Sequence, residues 1–213
     1  MGQFDVLLIL IQLLVLFFSL SLHESAHAWV AERCGDPTGR ILGRVTLNPL
    51  PHVDLIGTIL FPLIGFLAGG LIFGWAKPVP VNTANLRNPR RDNVLISAAG
   101  PASNLLAAAV FLAGIKLLRS FGTMESLPAV GEPLAMLFHA GLFLNVILAV
   151  FNLIPIPPLD GGWVLEGLLP RWFGPLFEAV RPFGFLLLLG LLYTGVFRSV
   201  LRPVVQMVER MAY

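Results

Sequence analysis

FDVLLILIQLLVLFFSLSLHESAH, residues 4–27, opens as a nearly all-apolar run and closes on two histidines and a glutamate. At 1.5 Å per residue, 4–22 already covers about 28 Å, close to the thickness of bilayer hydrocarbon. The helix is predicted to run on to residue 33, becoming polar enough after His23 to leave the membrane. Ionisable groups are costly at membrane depth and usually functional there, so His23, Glu24 and His27 need a chemical reason.

The rest of the chain fits a membrane protein. It is 56 % hydrophobic and 12 % charged, with a mean hydropathy of +0.83, too apolar for one soluble core. A net charge of +2 without a basic stripe argues against nucleic acid. Cys34 is the single cysteine, which excludes disulfides within the chain and argues against a cysteine-based metal site. No basic n-region or small-residue cleavage site marks a signal peptide, and cleavage near residue 22 would remove the helix that carries the histidines.

Further blocks long enough to span are 93–118, 134–154 and about 179–197. Block 55–75 is punctuated by Gly57, Pro62, Gly65, Gly69, Gly70 and Gly74. The tail alternates Arg198, Arg202 and Arg210 with apolar residues and reads as an interfacial helix. The expected fold is all-α, a bundle of about four transmembrane helices with a re-entrant hairpin at 55–75 and a short extended segment near the site. Residues 1–213 are expected to form one membrane-embedded domain, with a catalytic core at about 4–170 and the last span and tail at 171–213.

His23 and His27, four residues apart, share one helix face and can reach one ion at about 2.0–2.1 Å. Glu24 is offset by roughly 100° and lies beside such an ion without ligating it, placed to take a proton from water. The alternative is a helix end whose histidines snorkel to water. A catalytic zinc normally takes three protein ligands. His52 lies in a turn-rich loop and reads as a surface or supporting histidine. His139, near the start of a later span, reads as an interfacial or packing residue. Asp160 follows Pro155, Pro157 and Pro158, which break a helix at membrane depth, where irregular backbone must line a cavity or be buried in protein. On the residues alone, Asp160 is equally a ligand or the N-cap of a helix over 161–169. KPVPVN, 77–82, reads either as a polyproline-like linker or as an extended edge that accepts an unwound substrate strand, with Pro78 and Pro80 crippling the opposite edge.

HESAH at 23–27, AAGPASN at 98–104 and NLIPIPPLDGG at 152–162 resemble the three signatures of the site-2 proteases, zinc intramembrane metalloproteases. GRVTLNPLPHVDLIGT at 43–58 and FGWAKPVPVN at 73–82 further resemble the compact bacterial members, with no PDZ-like insertion between the motifs. The resemblance implies that His23, His27 and Asp160 bind Zn2+ and that Glu24 is the general base. It also implies that Asn152 steadies the oxyanion and that the substrates are transmembrane proteins cut in the bacterial inner membrane. Asn104 is assigned a packing or supporting role. Two histidines and a carboxylate also suit iron. The rival reading is a non-catalytic metal-binding membrane protein, a transporter subunit or an inactive scaffold. The intact Glu24 argues against a scaffold, and the lack of an inverted repeat argues against a transporter.

Parity decides the expected topology. His23 and Asp160 both follow full spans, so they meet only if 55–75 enters and leaves on one side, turning near Ala68, Gly69 and Gly70. Arg33, Arg40, Arg44, Lys77, Arg87, Arg90 and Arg91 then share one face, against Lys116 and Arg119 on the other. The site is therefore expected toward the cytoplasm. The arginines of the tail pull the other way.

Overall fold

The computed structural model describes residues 3–212 apart from 62 and 65–73. The long helix α1, Gln3–Cys34, contains neither proline nor glycine. It stops where Gly35 adopts φ 114°. The Gly35 amide then bonds Glu32 O at 3.0 Å and the Asp36 amide bonds Ala31 O at 2.9 Å. This pair of reversed bonds is a Schellman stop, which favours glycine because only it takes a left-handed φ without strain.

Helix α2, Pro89–Ser120, starts at Asn88, whose side chain accepts from the Arg91 amide while its own amide donates to the Asp92 carboxylate. Helix α3, Pro128–Asn152, and the short α4, Asp160–Leu168, follow. A helical run over Arg171–Leu191 and the final helix α5, Val196–Ala212, complete the bundle. Val6–Cys34, Pro89–Ser120, Pro128–Asn152 and Arg171–Leu191 are each long and apolar enough to cross a membrane. The protein is therefore a multi-pass, all-α membrane protein, and no strand occurs among the described residues.

Helix α2 is the centre of the bundle and packs on α1, α3 and α4. Gly161 and Gly162 let α4 close onto the proline turn, since a Cβ on Gly161 would lie 2.3 Å from Leu153 O and one on Gly162 2.6 Å from Pro157 N. The tail does more than lie along the interface. Val208 and Ala212 of α5 are buried against Ala108 and Ile115 of α2 and Leu142 of α3, while Arg198, Arg202 and Arg210 remain exposed.

The two ends of block 55–75 meet. The Trp75 amide bonds Gly57 O at 3.1 Å, Thr58 Oγ1 donates to Trp75 O at 2.8 Å, and the Lys77 amide bonds His52 O at 2.8 Å. These ends lie within hydrogen-bonding distance of each other, whereas the ends of a full span lie about 30 Å apart. The expected turn at Ala68, Gly69 and Gly70 lies outside the described residues.

Candidate metal centre

His23 and His27 sit on the buried face of α1, and α4 delivers Asp160 to them across the bundle. Asp160 Oδ2 lies 3.1 Å from His23 Nε2 and 3.4 Å from His27 Nε2. The two Nε2 atoms are 3.0 Å apart. Asp160 is the first residue of α4 and is not its cap, because Leu159 occupies that position and no side chain caps the helix.

The outer ring nitrogens settle which nitrogens are bare. His27 Nδ1 lies 2.6 Å from Ile96 O. A carbonyl only accepts, so Nδ1 carries the proton and Nε2 presents a lone pair. His23 Nδ1 lies 2.6 Å from Asn104 Oδ1, with the same consequence. Two lone pairs and a carboxylate oxygen thus converge, and Asp160 Oδ2 is buried with no hydrogen-bond donor of its own. Three acceptors facing one another repel unless a cation lies among them. The donor atoms all fall within 4.8 Å of one another, and the two-imidazole, one-carboxylate set suits zinc. The space beside them is held open by Gly100, where a Cβ would come 2.4 Å from His27 Nε2 and 2.6 Å from His23 Nε2.

Glu24 faces the same cavity of about 410 Å³, which Asn152, Val79 and Trp163 also line. Its Oε2 accepts from the Val79 amide at 2.9 Å. Residues 74–82 form neither helix nor strand, and they are tied down at both ends. Arg44 donates to Lys77 O at 3.2 Å, and the Asn82 amide donates to Asp36 at 2.7 Å. The Val79 amide is therefore already engaged by Glu24. Asn152 Nδ2 bonds Leu148 O of its own helix at 2.9 Å, which uses one of its two amide hydrogens.

Asp36 anchors this arrangement. Fully buried, it accepts from Thr38, Asn82 and Asn85. Burial alone would raise its carboxyl, but hydrogen bonds from Thr38, Asn85 and the Asn82 and Thr38 amides outweigh it and hold the group below the usual carboxylate range.

His52 stands apart from the metal cluster. It is buried, 2 % exposed, which fits the supporting rather than the surface reading; the Lys77 amide bonds its carbonyl. Its Nε2 lies 3.0 Å from Thr46 O. Burial pushes its imidazole down, partly offset by that bond and by Glu24. His139 bonds Ala135 O within its own helix at 2.7 Å and lies away from the cluster.

Sequence reasoning missed Asn145, which is fully buried and bonded to Asn104. Its signal was an amide side chain inside an otherwise apolar span, FHAGLFLNVILAVF, at 138–151. Interhelical hydrogen bonds in bilayers contribute only about 0.6 kcal/mol each on average. Their weight at this site lies more in orientation than in stability.

The sequence matches the model of "Peptidase family M50" over residues 11–131 and 120–192. It is 40 % identical over 190 residues to "Putative zinc metalloprotease YwhC" of Bacillus subtilis, covering 89 % of this chain and 83 % of that protein. It is 33 % identical over 181 residues to "Putative zinc metalloprotease Rip2" of Mycolicibacterium smegmatis, covering 83 % of this chain and 64 % of the relative. With the Rip2 of Mycobacterium tuberculosis (strain H37Rv) it shares 34 % over 152 residues, 70 % of this chain and 53 % of that one. No solved structure matches.

Proposed function

The chain belongs to peptidase family M50, and from that premise we propose that it hydrolyses peptide bonds within or beside the membrane-spanning segments of protein substrates. Membership makes it a membrane-embedded zinc metalloprotease. The reading of the site rests on one observation above all: Asp160 Oδ2 meets two imidazole nitrogens whose rings turn their other nitrogens to acceptor oxygens. Those three side chains would hold the zinc, in one catalytic unit spanning 1–213. Nothing favours a transporter subunit or an inactive scaffold, since neither needs Glu24 at the cavity.

Bound there, zinc supplies Lewis acidity, which makes water a usable nucleophile near neutral pH and polarises the peptide carbonyl. Glu24 takes a proton from the attacking water and returns it to the leaving amine. The Val79 amide holds that carboxylate at the cavity wall. Asn152 donates its remaining amide hydrogen to the carbonyl oxygen as negative charge develops, a contribution worth about 10²–10³ in rate. With 55–75 returning to its side of entry, the His23 and Asp160 ends of their spans share the basic face, which the excess of arginine and lysine assigns to the cytoplasm. Both termini then lie outside.

The test is cleavage of a single-span reporter by reconstituted wild type and Glu24→Gln, with zinc content measured in both. The variant should keep its zinc and cleave about 10²–10⁴-fold more slowly. Equal rates, or wild-type cleavage that survives zinc removal, would contradict the assignment.

A further inference from the structure

Three spanning helices are joined at membrane depth by a chain of amide groups whose polarity is forced from one end. Gly141 O of α3 is a backbone carbonyl and can only accept, so the Asn145 atom 2.8 Å from it is the amide nitrogen. The same nitrogen donates to Ser19 Oγ of α1 at 2.9 Å. Asn145 Oδ1 is thereby turned toward α2, where it accepts from Asn104 Nδ2 at 2.8 Å. Asn104 must then present its own oxygen to His23 Nδ1, 2.6 Å away. That bond puts the His23 proton on Nδ1 and leaves Nε2 bare toward Asp160 and His27.

We propose that Asn145 is a positioning residue that selects the metal-binding tautomer of His23 by orienting Asn104. The inference rests on the zinc reading of the site. It explains an asymmetry between the two histidines. The His27 proton is placed by a main-chain carbonyl, Ile96 O, which needs no side chain to orient it. The His23 proton is placed by an amide that could face either way, and a flipped Asn104 would offer N–H to Nδ1 and drive the proton onto Nε2, against the ion. Both Asn104 and Asn145 are fully buried, so solvent does not compete for these groups. A bond from Asn104 Nδ2 to Ser19 O pulls the same way, but at 3.3 Å it is the longer of the two.

Zinc affinity, measured by chelator competition in detergent, should fall about tenfold in Asn145→Ala, in the range seen when groups supporting a metal ligand are removed. The specific check is Asn104→Asp/Asn145→Ala. A carboxylate can only accept, so it fixes the Nδ1 proton without help from α3, and the double variant should bind zinc about tenfold more tightly than Asn145→Ala. A residue that merely packs would show no such rescue. Nitrogen-15 resonances of His23 in the zinc-free wild type give a reading independent of any variant, and should show the proton on Nδ1. A proton on Nε2 there, an Asn145→Ala protein that binds zinc like wild type, or a double variant no better than the single one would each overturn the relay. A wild type that binds no zinc would instead sink the metal site itself, and the relay with it.

Discussion

The Val79 amide donates to Glu24 Oε2 at 2.9 Å, so the backbone of one segment holds the proposed base. Proline at 79 would remove that donor from a segment that is neither helix nor strand and already carries Pro78 and Pro80 on either side. Val79→Pro should cut cleavage of a transmembrane substrate by about tenfold, the factor that corresponds to roughly 1.4 kcal/mol of lost transition-state stabilisation. Zinc content should be unchanged. Unaltered cleavage would show that the bond is incidental to the reaction.

Gly100 is the second position where a small change should have a large local effect. A methyl group there would press on both Nε2 atoms, and α2 can shift only by disturbing its packing on α1 and α3. Gly100→Ala should lower zinc occupancy sharply while the protein still folds into the membrane. A variant with full occupancy would mean that the two helices separate more easily than their packing suggests.

Asp36 should make stability depend on pH. Its folded carboxyl binds a proton less readily than the unfolded one, which has a pKa of about 3.9. Its contribution is therefore fully present above that value and lost as pH falls through the lower folded value. Thermal unfolding of wild type should lose stability on acidification relative to Asp36→Asn, whose own curve should lack this component. At neutral pH the variant should be less stable by about 1–3 kcal/mol, because the donors of Thr38, Asn82 and Asn85 lose a charged acceptor. Parallel curves for the two proteins would refute this.

Topology has its own test. Thr46→Cys and Thr83→Cys flank the block whose ends meet, and Cys34 is buried. Both new thiols should react with an impermeant reagent from the cytoplasmic side only. Labelling from opposite sides would separate His23 from Asp160 by a bilayer.

Much of this was legible in the sequence, for physical reasons. Four apolar blocks appear as helical runs long enough to span, the fourth at Arg171–Leu191 and not at about 179–197, because a lipid-facing segment has to be both apolar and long. The pair His23 and His27 could be read from helical pitch alone. Asp160 could be narrowed to ligand or cap, and only the position of Leu159 as the cap decides against the second. Asn145 and the main-chain partners Ile96 O and Val79 N–H were out of reach. Their roles depend on which helices touch, and a backbone group leaves no mark in residue identity.

The central claim is that two imidazoles and one carboxylate of this chain form a zinc site inside the membrane bundle. X-ray absorption at the zinc edge of the purified protein, with Asp160→Ala beside it, tests that most directly. Wild type should show two imidazole nitrogens and a carboxylate oxygen at about 2.0–2.2 Å. Asp160→Ala should lose the carboxylate contribution or the metal altogether. A spectrum with sulfur neighbours, with fewer than two imidazoles, or unchanged by Asp160→Ala would contradict the account.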